Sequence, residues 1–373
     1  MIQHKAYKFR IYPNAEQRVL LAKTFGSVRF VYNHFLGVKT KAYEETKASV
    51  SYTRCAAELV KLKKENPFLK EVDSIALQQS LRHLETAFQN FFRDKKVGYP
   101  KFKSKKQHHY SYSSVCVNNN IRLENGVLVL PKIGKVRIRQ HRMIPKNYTL
   151  KSVTVSQTPS GKYYVSILFD METEPQSIEL TRAIGLDFSM SELFVSSEDD
   201  IQTDEQFLRH YRRSQEKLAR EQRILSHRKK GSNRYNKQRR KVAILHEKVC
   251  NQRKDYLHKV SRQIANAYDI VCVEDLNMQD MAQIFHFGKS VSDNGWGMFL
   301  GFLDYKLADA GKILIRIDKW YASSKTCHVC GYINEGLTLK DRNWECPKCY
   351  TIHGRDKNAA HNIKAEGLRI AFA

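Results

Sequence analysis

The sequence predicts a multidomain α+β chain, in which an antiparallel β domain interrupted by helices precedes an α/β layer. Three observations carry this. Residues from about 110 to 170 break into short strands with turn residues between them. From about 180 onward, apolar strands alternate with helical stretches, and four of the eight cysteines gather between 327 and 349. A chain of 373 residues is also too long for one ordinary core, so two or three domains are expected.

The opening run Ala6-Tyr7-Lys8-Phe9-Arg10-Ile11-Tyr12 alternates apolar and basic residues and reads as a strand that Pro13-Asn14 ends. Val19, Leu20, Phe25, Phe30, Val31, Phe35 and Leu36 follow in a helical stretch. Leu77, Leu81, Leu84, Phe88 and Phe91 form a second helical stripe, of the kind that usually faces a core. Strands at Val127–Leu130, Lys135–Ile138 and Tyr163–Leu168, with turns at Asn125-Gly126 and Ser160-Gly161, suggest a small antiparallel barrel or sandwich. If the opening strand pairs into that sheet, the helices at 15–100 are an insertion. Further on, Ala183–Leu186 and Leu193–Val195 read as a hairpin, and Ile270–Val273 as a buried strand. A helix near Trp296–Ala310 precedes the strand Ile313–Ile317.

Charge narrows the function classes. There are 64 Lys+Arg against 38 Asp+Glu, a net charge of +26, which points to a polyanionic partner with nucleic acid foremost. With 42% apolar and 27% charged residues, a fully disordered chain is excluded. No apolar run approaches the length of a transmembrane helix, and the N-terminus carries no signal-peptide stretch, so a cytosolic protein without a membrane partner is expected. Between Arg209 and Arg262 stand 19 Lys/Arg and four acids, so more than half of the whole excess sits in one segment. That segment, 205–265, reads as two antiparallel helices joined at Gly231-Ser232-Asn233. A solvated hairpin is the bland alternative, but charge this one-sided repels itself unless phosphates neutralise it.

Cys327-x2-Cys330 and Cys346-x2-Cys349, fifteen residues apart, are the strongest local signal. Two such knuckles bring four thiolates into a tetrahedron around one Zn²⁺. All four ligands being sulfur, no coordination position is left open, so the zinc is expected to be structural, holding a ribbon too small to fold on its apolar content. The other four cysteines are scattered, which fits a reducing compartment rather than a disulfide scaffold.

In so basic a chain, acids at strand ends stand out. Asp187 follows Ile184-Gly185-Leu186, Glu274 ends the run Ile270–Val273, and Asp356 falls at the expected start of the last helix. Three carboxylates from separate segments are what a two-metal phosphodiester site requires, holding Mg²⁺ ions that stabilise the attacking and leaving oxygens. Each also has a plain reading: a turn residue, a solvated strand end, and a helix-start acid favoured by the dipole.

Gly185-Leu186-Asp187-Phe188-Ser189, Val273-Glu274-Asp275-Leu276-Asn277, the four-cysteine ribbon, and Arg355-Asp356-Lys357-Asn358-Ala359-Ala360-His361-Asn362-Ile363 occur in this order. Together they resemble the TnpB (OrfB) family of transposon-encoded RNA-guided DNA nucleases, relatives of type V CRISPR effectors. The likeness also takes in Lys8–Asn14, Arg29–Asn33, Ser226–Ser232, Asn294–Gly297 and Ser323–Cys327, almost the whole chain.

The resemblance implies an oligonucleotide-binding-like β-barrel wedge domain (1–14 and 111–177) with an inserted helical recognition domain (15–110). A split RuvC-like, RNase H-type α/β domain would follow (178–320 and 353–373), with an inserted zinc ribbon (321–352). It implies catalysis by Asp187, Glu274 and Asp356 holding Mg²⁺, and zinc on Cys327, Cys330, Cys346 and Cys349. The partners implied are a guide RNA from the transposon end, one protein per RNA, and target double-stranded DNA with a short flanking motif, in the prokaryotic cytosol or nucleoid.

On that reading, Arg228, Lys229, Lys230, Arg234, Lys237, Arg239 and Arg240 would follow the guide–target backbone. Tyr52 and Gln78 would read the flanking motif, although Tyr52 could equally pack and Gln78 sit exposed on its helix. Two departures stand out: Gly354 where the family commonly has Asp, and Ala322 where it often has Pro, a change expected to loosen the approach to the ribbon. Nuclease-dead repressors of this family typically lose one of the acids, and all are kept here. A joining transposase would need a Tyr nucleophile with a His metal motif, and none is found.

Overall fold

The computed structural model describes every residue except 1, 95, 108–109, 173–178, 191, 202–204, 277–294 and 339. The chain divides into two compact units, Met1–Glu174 and Pro175–Ala373. Among the described residues no helix is long and apolar enough to cross a membrane.

The first unit is built on an antiparallel sheet of seven strands: β1 (Ile2–Tyr12), β2 (Tyr110–Val115), β3 (Arg122–Glu124), β4 (Val127–Leu130), β5 (Gly134–Arg139), β6 (Thr149–Gln157) and β7 (Tyr163–Glu172). Their order is β2-β6-β7-β1-β5-β4-β3, with β2 and β3 at the edges. The opening strand is therefore central, pairing along its length with β7 and by its last residues, Arg10–Tyr12, with β5. Alternation explains its burial: Phe9 and Ile11 are in the core, while Lys8 and Arg10 alternate with them on the other face, Lys8 exposed and Arg10 half-buried. Asn125 and Gly126 both have positive φ, which gives the tight β3–β4 turn the twist that hairpins favour.

Helices α1 (Ala15–Thr46), α2 (Tyr52–Glu65) and α3 (Ser74–Arg93) come between β1 and β2 in the chain. Asn14 and Gln17 form a reciprocal capping box that starts α1 two residues after β1 ends. Asp73 caps α3 and also accepts from Ser114 Oγ, tying the start of that helix to β2. The helix α2 has no counterpart in the sequence reading. Its buried residues, Cys55, Leu59 and Leu62, make only a short stripe among lysines.

The second unit centres on a four-stranded sheet of order β11-β10-β8-β9: β8 (Ala183–Phe188), β9 (Phe194–Ser196), β10 (Ile270–Glu274) and β11 (Ile313–Ile317). β10 runs parallel to both β8 and β11, and β9 is antiparallel to β8. Between β9 and β10 stand α4 (Glu205–Ser226) and α5 (Asn233–Ala267). α6 (Trp296–Ala308) precedes β11, and α7 (Arg355–Ala371) ends the chain. A separate ladder of β12 (Asn343–Glu345) and β13 (Ile352–Gly354) lies just before α7.

Strand β10 is buried on both faces, as a central parallel strand must be. Val271 and Val273 join Leu257, Ile264, Phe299 and Leu303 from α5 and α6 on one side. Ile270 and Cys272 meet Ile363 of α7 on the other. α7 lies very close to the sheet. A Cβ on Gly185 would fall on the Ala360 carbonyl oxygen and the Lys364 backbone nitrogen, and one on Gly367 would fall on the Cys272 side chain. Two glycines, one on each partner, permit this crossing.

Gly185→Ala is therefore expected to destabilise the second unit by roughly 1–3 kcal/mol. Gly301→Ala, at an exposed helical site with open space around its Cβ, should be neutral or stabilising by up to about 1 kcal/mol. Equal midpoints for both variants in denaturant unfolding would contradict this packing.

Candidate active site

Parallel neighbours in a sheet deliver their C-terminal residues to the same edge. Val273 of β10 is level with Leu186 of β8, so Glu274, the last residue of β10, stands beside Asp187, the last but one of β8. Asp356 is the second residue of α7 and belongs to its first turn, where the exposed helix N–H groups favour an acid. The crossing at Gly185 sets that helix start against the same strand ends.

The electrostatics report the convergence. Burial, reinforced by the negative charges of Glu274 and Asp356, pushes the Asp187 carboxyl up to about 8, and Arg355 pulls it partly back. Burial raises Glu274 as well, opposed by Ser323 Oγ, which donates to Glu274 Oε1 at 2.6 Å. Asp356 is paired with Arg342 at 3.4 Å. A buried carboxyl raised by two neighbouring carboxylates marks a place where a divalent cation would relieve the repulsion, with the acids as its ligands. Their oxygens are not gathered as tightly as the four cysteine sulfurs, which all lie within 4.8 Å of one another.

The sulfurs form their own candidate metal centre. Cys327 and Cys349 Sγ are 3.6 Å apart, and Cys330 and Cys346 Sγ 3.5 Å. The edge of a tetrahedron with metal–sulfur bonds of about 2.3 Å is about 3.8 Å, so the donors fit zinc. The two knuckles repeat one design. The Gly331 N–H donates to the Cys327 carbonyl and the Tyr350 N–H to the Cys346 carbonyl, both at 2.9 Å. Gly331 and Tyr350 both have positive φ, so Tyr350 takes the glycine place of its knuckle. Burial pushes the Cys327 thiol up, while hydrogen bonds from Thr351 hold Cys349 down to about 6. His353, buried against Trp344, places Nε2 3.1 Å from Cys327 Sγ.

The motif Asp356–Asn362 joins the two centres. Asn358 Nδ2 donates to the Thr326 carbonyl at 2.7 Å, and its Oδ1 accepts from the His328 backbone N–H at 3.0 Å. One turn on, Asn362 Nδ2 donates to the Ser323 and Thr326 carbonyls at 2.7 and 2.6 Å. Ala359 and Ala360, between them, are the small residues that the sheet contact needs. The approach to the ribbon, expected to loosen without proline, is instead tied by these bonds and by the Thr326 N–H and Oγ1 donating to the Ala322 carbonyl. Ser323, Arg342 and Arg355 were not singled out from sequence as site residues. Serine and arginine near a cysteine knuckle give no spacing signal, although Ser323 stands within a family-like run.

The basic hairpin has the expected form. Gly231 has positive φ, and Ser232 caps α5 by accepting from the Tyr235 N–H. Buried Glu221 receives Lys241 at 2.8 Å and Gln238 Nε2 at 2.7 Å, closing α4 on α5. Arg228, Lys229, Lys230, Arg234, Lys237, Arg239 and Arg240 are all exposed. In the first unit Tyr52 is half-buried against the core under Arg82, and Gln78 is exposed on α3. Asn277 and Asn294, part of the family-like runs, lie outside the described residues.

The fold resembles the protein chain of a Cas12f1–sgRNA–target DNA complex solved by cryo-EM. Its TM-score is 0.55 at 13% identity, covering 97% of this chain and 99% of that one. The OrfB IS605 family model, described as a probable transposase, matches residues 166–285, and the TNB domain model of Cas12f1-like proteins matches 296–363. A helix-turn-helix model of the OrfB family matches 1–48, where the structure has β1 and the single helix α1. A Streptomyces pristinaespiralis protein named "Putative RNA-guided DNA endonuclease" is 38% identical over 98% of this chain and 89% of its own. InsQ of Escherichia coli K12, under the same description, is 31% identical over 98% and 93%. The chain belongs to the TnpB (OrfB) family.

Because Asp187 is raised in the folded state, its ionisation opposes folding. In magnesium-free buffer, stability should fall as pH rises from about 4 through about 8. Asp187→Asn should remove that decline and exceed the parent at pH 8 by roughly 1 kcal/mol or more. Parallel pH–Tm curves for the two proteins would contradict the raised carboxyl.

Proposed function

We propose that this protein is an RNA-guided DNA endonuclease that cuts target double-stranded DNA beside a short flanking motif, using a guide RNA from a transposon end. The observation that carries the reading is the meeting of Asp187, Glu274 and Asp356 at one sheet edge, with Asp187 raised by both other acids. Relatives matched over nearly their whole length bear that name, which supports it.

In this reading the RuvC-like domain comprises 178–320 and 353–373, and the ribbon 321–352. The wedge parts are 1–14 and 111–177, with the recognition helices at 15–110. Asp187, Glu274 and Asp356 would hold Mg²⁺, which when bound supplies positive charge to the attacking and leaving oxygens of a phosphodiester. The chain's own groups do the rest. Ser323 orients Glu274, Arg342 and Arg355 balance the acids, and the hairpin's exposed cations follow the phosphates of the guide–target duplex without reading bases. Cys327, Cys330, Cys346 and Cys349 would hold a structural zinc, and Tyr52 and Gln78 would meet the flanking motif.

Asp187→Ala is expected to lower cleavage by at least about 10³-fold while guide-RNA and target binding persist. A variant that still cuts at the parental rate sinks the catalytic assignment. Cys327→Ser should lower bound zinc and soluble yield, and unchanged zinc by atomic absorption would refute the ribbon site. Sequencing of RNA that co-purifies with the protein tests the guide.

A further inference from the structure

Trp320 is 81% exposed, an unusual position for the largest apolar side chain. The other two tryptophans, Trp296 and Trp344, are 1% and 8% exposed. Trp320 follows β11, and both ends of its loop are fastened at Glu274. On one side Ile317 is level with Glu274 in the sheet, and its carbonyl accepts from the Asp275 N–H at 3.0 Å. On the other, Ser323 Oγ donates to Glu274 Oε1. Within the loop, Asp318 Oδ1 accepts from the Trp320 N–H at 2.7 Å, and the Asp318 carbonyl accepts from the Tyr321 N–H.

Trp320 thus stands on a short, internally bonded loop, three residues from either anchor, so its Cα is within roughly 10 Å of both Ile317 and Ser323. Core packing does not explain it. None of the loop's hydrogen bonds named above uses the indole, and the ring is not part of the hydrophobic clusters around β11. Its partner is a cation: Lys319 Nζ lies 4.9 Å from the ring centre. Exposed Arg316 is on the adjoining strand, half-shielded by a long 3.8 Å pair with Asp275. An exposed flat aromatic with a lysine at its face, on a loop anchored at both ends to Glu274, has the chemistry of a single-strand stacking platform. The ring takes the base and the ammonium takes the phosphate.

We propose that Trp320 stacks on an unpaired nucleobase of the DNA strand presented to Asp187, Glu274 and Asp356, with Lys319 on the adjacent phosphate. Trp320 is then a positioning residue, setting the scissile phosphate by holding a neighbouring base. It rests on the nuclease reading above, and it gives a role to a residue that the carboxylates and the ribbon leave unused. Stacking is indifferent to base identity, so the platform would suit a strand whose sequence is read elsewhere.

The test uses the full-length, zinc-containing chain carrying Asp187→Ala, with single-stranded oligo(dT) as probe. Binding is followed by anisotropy of labelled oligo(dT), and stacking by quenching of intrinsic tryptophan emission. Since the other two indoles are buried, the emission lost on saturation should belong to Trp320 and vanish in Trp320→Phe. Trp320→Ala should weaken oligo(dT) binding about tenfold, and Trp320→Phe much less. Emission unchanged at saturating oligo(dT), or equal affinity of the parent and Trp320→Ala, overturns the platform. Neither readout depends on cutting. If Asp187→Ala by itself leaves cleavage intact, the nuclease assignment fails instead, and the stacking result stands or falls separately.

Discussion

The close crossing of α7 over β8 is the constraint on which the second unit's chemistry depends. A helix can lie this near a sheet only where one partner lacks a Cβ at each close contact, and Gly185 against Ala360 and Gly367 against Cys272 meet that condition. The approach fixes where the helix begins, and so where Asp356 stands relative to Asp187. It also explains why the run after Asp356 is Lys-Asn-Ala-Ala-His-Asn: alanines face the sheet, and asparagines one turn apart reach the loop that leads to the first knuckle. A packing requirement and a chemical one are met by the same seven residues.

Charge is distributed to match. The hairpin carries most of the surplus on exposed side chains, where water and phosphates can solvate it. Asp187 and Glu274 are held where burial makes their charge costly, and Asp187 is raised to about 8. Buried Glu221 shows the contrast within the same unit. Paired with Lys241 and Gln238, it is held below the usual carboxylate range and serves to close the hairpin. Glu221 is closed on by its partners, whereas Asp187 is buried against two other acids with only the partial offset of Arg355.

Much of this was legible in the residues, and the reason is spacing. The strand at Ile270–Val273, the hairpin at Ala183–Val195, the Gly231 turn and the four cysteines all announce themselves by period or interval, and the described elements coincide with them. What stayed hidden depends on contacts between distant residues. The period-2 run at Tyr7–Tyr12 marks a strand but does not say that it lies between β5 and β7. Tyr350 in a left-handed turn is invisible until its knuckle is compared with that of Gly331. The convergence of the three acids, 87 and 82 residues apart in sequence, follows from parallel pairing and from two glycines, neither of which has a motif of its own.

Ser323 shows how tightly the two candidate metal centres are joined. It donates to Glu274 through its hydroxyl and accepts from Asn362 through its carbonyl, four residues before the first cysteine ligand. Asn358 holds Thr326 and His328, the residues on either side of Cys327. The segment before and after Cys327 is therefore tied by part-buried hydrogen bonds both to the α7 residues that follow Asp356 and to Glu274 itself. The loop that leads to the four-cysteine cluster is thus also the loop whose Ser323 holds Glu274. The four-cysteine segment lies in the chain between Glu274 and Asp356, and the hydrogen bonds of the loop leading into it reach Glu274 on one side and the α7 residues after Asp356 on the other.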